Sequence, residues 1–253
     1  MKALAGRGIV VTGAGGGIGR GIALACAAAG AHVVVAARGE NGQAVADEIT
    51  ARGDSAEWVR CDVADAATVT AAIDAAVATA GGLDAFVHNA TSGASSQPHR
   101  LEDVSAELFA DHAGVSLRGA FIGAQAALPA LHERGGTFIV MSSPAGMEGS
   151  AMLPMYATMK GALRGFGKSL SREWGPLGVR VNIVSPLGMS PAMEKAIKAD
   201  PDMKKRFSAR IPLGRVGDAE TDVGVAVAFL CGPDARYISG QTLGIDGGQF
   251  TSF

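Results

Sequence analysis

The chain has 253 residues, 22 basic and 24 acidic, for a net charge of −2. No run of five like charges occurs, which disfavours nucleic acid or an anionic membrane surface as a partner. The length suits one large α/β domain, no linker-like stretch divides it, and no run of about 18 apolar residues marks a membrane span. Glycine accounts for 36 residues, roughly twice the usual share. The glycines sit at element ends and follow no repeat, so collagen-like and low-complexity chains are excluded. Cys26, Cys61 and Cys231 form no CxxC pair and the histidines are scattered, so the expectation is a reduced, cytoplasmic, metal-free protein. Arg7, Arg20 and several glycines interrupt the apolar start, which is not read as a leader.

In chain order, Gly8 to Thr12 is a β-branched run that stops at Gly13, and an Ala-rich helical pattern runs from Ile18 to Ala29. The turn between them, Thr12-Gly-Ala-Gly-Gly-Gly-Ile-Gly19, lets backbone approach a pyrophosphate and offers free N–H groups at a helix start. Gly13, Gly15, Gly17, Ile18 and Gly19 are the candidate phosphate-binding positions. The second strand, His32 to Ala37, ends where a dinucleotide fold usually places an acid on the ribose 2′-hydroxyl. Here Ala37 is followed by Arg38, which can hold a 2′-phosphate; the alternative is a solvated residue after a strand. The choice leans to NADP(H) over NAD(H).

A helix is expected over residues 41–52 and a third strand over 56–61. Asp62 then either accepts a hydrogen bond from an adenine amino group or belongs to the cap of the helix over 65–80. A fourth strand over 83–88 ends at Asn89 and Ala90. Helical periodicity runs from about Ser105 to Leu131, with a break near Gly114, Gly119 or Pro129. The fifth strand, 137–141, delivers Ser142 and Ser143. A helix over 155–173 puts Tyr156 and Lys160 on one face by their i, i+4 spacing. An ammonium there would move the phenol from about 10 toward the working range. A sixth strand spans 179–184, a Pro-rich lid with a helix-like middle (193–210) spans about 187–213, and a helix (218–231) and last strand (241–246) follow. This βα alternation with apolar strands specifies a single Rossmann domain, a doubly wound parallel sheet of about seven strands with helices on both faces.

Read together, Thr12-Gly13-xxx-Gly17-x-Gly19, Asp62, Asn89-Ala90, Ser143 with Tyr156-xxx-Lys160, Asn182 before Pro186, and Ile-Asp246-Gly-Gly resemble the short-chain dehydrogenase/reductase family over essentially the whole chain. The nearest likeness is to β-ketoacyl-carrier-protein reductases. The resemblance implies hydride exchange between a nicotinamide and a ketone or secondary alcohol. Tyr156 would transfer the proton, Ser143 bind the substrate oxygen, Lys160 act on the tyrosine and the nicotinamide ribose, and Ser116 stand where the family has a relay asparagine. It also implies cofactor contacts at Val63, Pro186, Gly188 and Met189, and a homodimer or homotetramer.

Departures from the family pattern are Ser116 itself, His88 and Thr91 around Asn89-Ala90, Leu187 after Pro186, Pro191 in place of a threonine, and Gly16 where a basic residue often reads NADP. They motivate a second reading, a weakly active or inactive nucleotide-binding scaffold. A third reading is an elimination or epimerisation. Apart from Met1, every methionine falls between 141 and 203. Such side chains adapt to irregular apolar shapes, so a bulky apolar or acyl-type substrate is expected. For Met155 and Met159 the alternative is packing.

Overall fold

A computed structural model describes residues 2–189, 193–194, 197–198 and 200–251; the expectation placed on Pro191 falls outside them. The strands are β1 (Gly8–Thr12), β2 (His32–Ala37), β3 (Ser55–Arg60), β4 (Ala85–His88), β5 (Thr137–Met141), β6 (Arg180–Pro186) and β7 (Thr242–Ile245). They form one sheet in the order β3-β2-β1-β4-β5-β6-β7. Each pairing is parallel. The fold is therefore the doubly wound Rossmann type expected, with its reversal between β1 and β4.

The helices are α1 (Gly17–Ala28), α2 (Asn41–Ala51), α3 (Ala66–Ala80), α4 (Ala106–His112), α5 (Gly119–Arg134), α6 (Ala145–Glu148), α7 (Pro154–Trp174), α8 (Pro201–Arg210) and α9 (Val225–Cys231). Local chemistry sets their ends. Asp65 caps α3 by accepting from Ala67 N at 2.9 Å, and Gly81 closes it in the left-handed region. Ser105 caps α4, accepting from Leu108 N at 3.2 Å. Pro154 opens α7, where a missing N–H costs nothing.

Alternation along the strands divides the core into two layers. Ile9, Val11, Val35 and Ile139 pack with Ile22 of α1 and Val227 of α9. Val10, Val34, Phe86 and Phe138 pack with Val69 of α3, Leu131 of α5 and Leu163 of α7. Sheets buried on both faces need such continuously apolar strands.

Two helical expectations change. The long helix over 105–131 is really α4 and α5 joined by a π-helical segment, Ala113–Arg118, and continues to Arg134. The break falls at Gly114 and Gly119, while Pro129 lies inside α5. The helix expected over 218–231 begins as a π turn, Ala219–Gly224, capped by Asp218. That turn lies hard against α1: a Cβ on Gly21 would stand 2.2 Å from Ala219 O.

Candidate active site

The reversal between β1 and β4 opens a crevice at the carboxyl ends of the strands. Two side chains bolt its floor. Thr12 Oγ1 accepts from Asn89 N at 3.1 Å and Ala90 N at 3.2 Å, and Asn89 Nδ2 donates to Thr12 O at 3.1 Å and Gly13 O at 3.2 Å. Asn89 thus ties the end of β4 to the glycine-rich turn. Gly13 has φ +65°, and a Cβ there would come 2.9 Å from Ala90 Cα. Only glycine fits that position.

The resulting cleft has a volume of about 910 Å³. One end is lined by Gly13, Gly15, Gly17, Ile18 and Gly19, then by Arg38 and Val63. The start of α1 has no side-chain cap and no acidic residue in its first turn, so its N–H groups stand free for an anion. Gly16 also faces open space. This chemistry fits a dinucleotide diphosphate. Asn41, which the sequence reading missed, lines the same end, and its Nδ2 donates to Gly15 O at 2.7 Å. Its position at the start of α2, just past Arg38, was the available signal.

The other end gathers Asn89, Ala90, Ser143, Tyr156, Lys160, Pro186, Leu187 and Gly188. Burial raises the Tyr156 phenol above its usual value, and a hydrogen bond with Ser143 opposes that rise. Lys160 is 4 % exposed. Its Nζ donates to Met141 O at 2.7 Å and lies 5.7 Å from the Tyr156 ring centre. Burial pushes it down to about 8. The expected lowering of the phenol by the ammonium is not seen in this structure, because burial raises the phenol and the ammonium donates to the Met141 carbonyl. Ser142, placed at the end of the fifth strand but given no role in the sequence, donates to Lys160 O at 2.8 Å and fastens α7 to β5.

Asp62, Ser116 and Met189 do not line the cleft. The Asp62 carboxylate accepts from Ala64 N at 3.0 Å and its main-chain N–H and carbonyl meet Thr68 Oγ1 at 3.0 and 2.7 Å, which favours the alternative that it belongs to the cap region of α3. Ser116 lies in the π segment behind Val115; its Oγ meets Thr91 Oγ1 at 3.1 Å. Its carbonyl accepts from His88 Nε2 at 3.0 Å. Met189 N donates to Gly217 O at 2.8 Å, joining the chain after β6 to the chain just before the π turn Ala219–Gly224. Of the methionines, Met141 and Met193 line the cleft, whereas Met155 and Met159 are buried in α7. Among the described residues no group of three or more potential metal ligands occurs, and no helix is long and apolar enough to cross a membrane.

A family model described as enoyl-(acyl carrier protein) reductase matches residues 13–249. The chain is 36% identical over 251 residues to L-rhamnose 1-dehydrogenase (NAD(P)(+)) of Azotobacter vinelandii, covering 96% of each. Its structure superposes on 3-ketoacyl-(acyl-carrier-protein) reductase from Brucella melitensis complexed with NADH, with a TM-score of 0.86 and 33% identity, covering 97% of this chain and 98% of that one. A short chain dehydrogenase from Burkholderia cenocepacia in complex with NADP gives a TM-score of 0.85 at 33% identity, covering 98% and 99%.

Proposed function

The chain belongs to the short-chain dehydrogenase/reductase family, a family of nicotinamide-dependent oxidoreductases, and we propose that it interconverts a ketone and a secondary alcohol with NADP(H) preferred. One observation carries the reading: Tyr156, hydrogen-bonded to Ser143, stands one helical turn from Lys160 in the cleft that the glycine-rich turn opens. Ser143 donates to the substrate oxygen and orients it. Tyr156 gives its proton to that oxygen on reduction and takes it back on oxidation. Lys160, ammonium below about 8, stabilises the phenolate left behind. When bound, the nicotinamide supplies or accepts the hydride. The glycine-rich turn and the start of α1 hold the diphosphate, and Arg38 reads the 2′-phosphate.

The only charged side chains lining the cleft among the described residues are Arg38 and Lys160, and both are assigned to cofactor and proton. A neutral, mainly apolar substrate follows, seated against Val115, Leu153, Leu187 and Met193. Phe121 on α5 and Phe166 on α7 stack with ring centres 4.2 Å apart, Phe121 being 47 % exposed; a homo-oligomer formed through these helices would cover them, and sedimentation of a monomer would refute it.

The test is fluorescence titration with NADPH and NADH, followed by nicotinamide oxidation with apolar ketones and β-keto thioesters. Tighter NADPH binding with turnover is expected. Arg38→Asp should weaken NADPH by roughly 10-fold or more, as loss of a charge-assisted pair implies, and leave NADH nearly unchanged. Equal weakening of both would remove Arg38 from its role. Binding of neither would favour the scaffold reading.

A further inference from the structure

Beside the cleft lies a second, smaller chamber of about 10 Å³, the room one water-sized group needs. Ser95, Leu153 and Tyr156 line both spaces. The rest of its wall is Gln97, His99 and Val104 from the chain between β4 and α4, Leu108 and His112 from α4, and Met152, Pro154 and Met155 at the head of α7. Two of these carry an unmet demand. Nε2 of His99 and Nδ1 of His112 are buried without a hydrogen-bond partner, and His112 is only 3 % exposed. Burial lowers the His112 pKa, Asp111 opposes the shift and His99 adds to it, which marks the two rings as neighbours.

The chamber is held in place from both sides. Ser92 Oγ donates to the Asp111 carboxylate of α4. His99 N donates to Met152 O at 2.7 Å, strapping the loop to the head of α7. Among the described residues no Asp, Glu, Lys or Arg lines the space. A neutral imidazole offers one donor and one acceptor nitrogen, so a single hydroxyl, which both gives and takes a hydrogen bond, suits it better than a carboxylate or an ammonium. A buried polar nitrogen left unpaired is costly, and Tyr156, which lines both the chamber and the cleft, sets the two side by side.

We propose that the chamber walled by His99 and His112 is a substrate subsite for one hydroxyl group. The preferred substrates are then largely apolar, alicyclic ketones and alcohols that carry a second hydroxyl a few bonds from the reacting carbon. The proposal rests on the oxidoreductase reading for its place beside the reacting atoms, and its binding test does not.

The experiment compares cyclohexanone with 2-, 3- and 4-hydroxycyclohexanone as substrates, and cyclohexanol with the matching cyclohexanediols as ligands for the protein with and without NADP⁺ by calorimetry. At least one hydroxylated member is expected to exceed its parent about 10-fold or more in kcat/KM and in affinity, because a site built to hydrogen-bond a hydroxyl rejects the analogue lacking it. His112→Phe and His99→Phe should bring that ratio close to one, and His112→Asn, which keeps a donor and an acceptor, should restore part of it. A wild-type ratio near one overturns the proposal. So does a ratio unchanged in both phenylalanine variants while their melting temperatures fall, which is the outcome for a structural water only. If NADPH binds but no ketone is reduced, the oxidoreductase reading fails, and the calorimetric ratio alone decides the subsite by the same criteria. Should the variants not fold, ring ¹⁵N resonances of His99 and His112 in the labelled wild type must move with a diol and not with cyclohexanol; unmoved resonances overturn the proposal.

Discussion

Lys160 holds its charge where burial resists it, at about 8 against an ordinary 10.5, while the Tyr156 phenol is pushed up by the same burial. At neutral pH the pair is therefore an ammonium beside a protonated phenol, the state suited to giving a proton to a ketone oxygen. Tyr156→Phe should lower turnover by roughly 100-fold or more, as expected for removing a proton-transfer group, with NADPH affinity near that of the wild type; retained turnover would take the proton away from Tyr156. His88 offers a separate, structural test. It is 1 % exposed, and burial first, then the Lys160 charge, depress it to about 4 against 6.5. The unfolded chain thus binds a proton between pH 6.5 and about 4 that the native chain does not, and stability falls as pH falls through this window. His88→Asn should shrink the drop in melting temperature between pH 7 and 4.5. An undiminished drop would place the acid sensitivity on other groups.

At the scale of elements, strands and most helices were legible because their apolar residues recur at periods that burial on a parallel sheet demands. β1, β2 and β5 occupy the expected residues, and the others shift by one or two at their ends. What escaped notice depends on partners far away in sequence. The π segment at Ser116 frees a carbonyl that is taken by His88, 28 residues earlier. Met155 and Met159 each lie one residue before Tyr156 and Lys160, so helical rotation of about 100° per residue turns them from the cleft into the packing. The facing of α1 and the π turn Ala219–Gly224 was equally hidden, since it needs glycine on both sides: a Cβ on Gly224 would lie 2.5 Å from Gly21 O. Gly21→Ala should therefore cost about 2–3 kcal/mol by forcing backbone apart, read as a melting temperature lower by several degrees. An unchanged melting temperature would mean that the two elements separate freely.

Across the whole molecule the sheet separates stability from chemistry, because every strand points its carboxyl end at the cleft and its amino end away from it. Asp84, at the amino end of β4, is 5 % exposed. Its carboxylate accepts from Arg7 Nη1 and Gly8 N at 3.0 Å each and from Arg134 Nη2 at 3.3 Å. These contacts join the start of β1 and the end of α5 to the bottom of the sheet. Both arginines keep part of their surface in water, so the pairs are worth less than fully buried ones. Asp84→Asn still removes the only negative charge that these contacts share, and the expected loss is on the order of 3 kcal/mol, or about 6–12 °C in melting temperature for a domain of this size. Well below that temperature the NADPH-to-NADH affinity ratio and the pH profile of turnover should match the wild type, since Arg38, Tyr156 and Lys160 sit at the opposite ends of the strands. A substitution at Asp84 that changed cofactor preference while sparing stability would mean that the two ends of the sheet are coupled, and that the cleft geometry depends on charge at the bottom of β4.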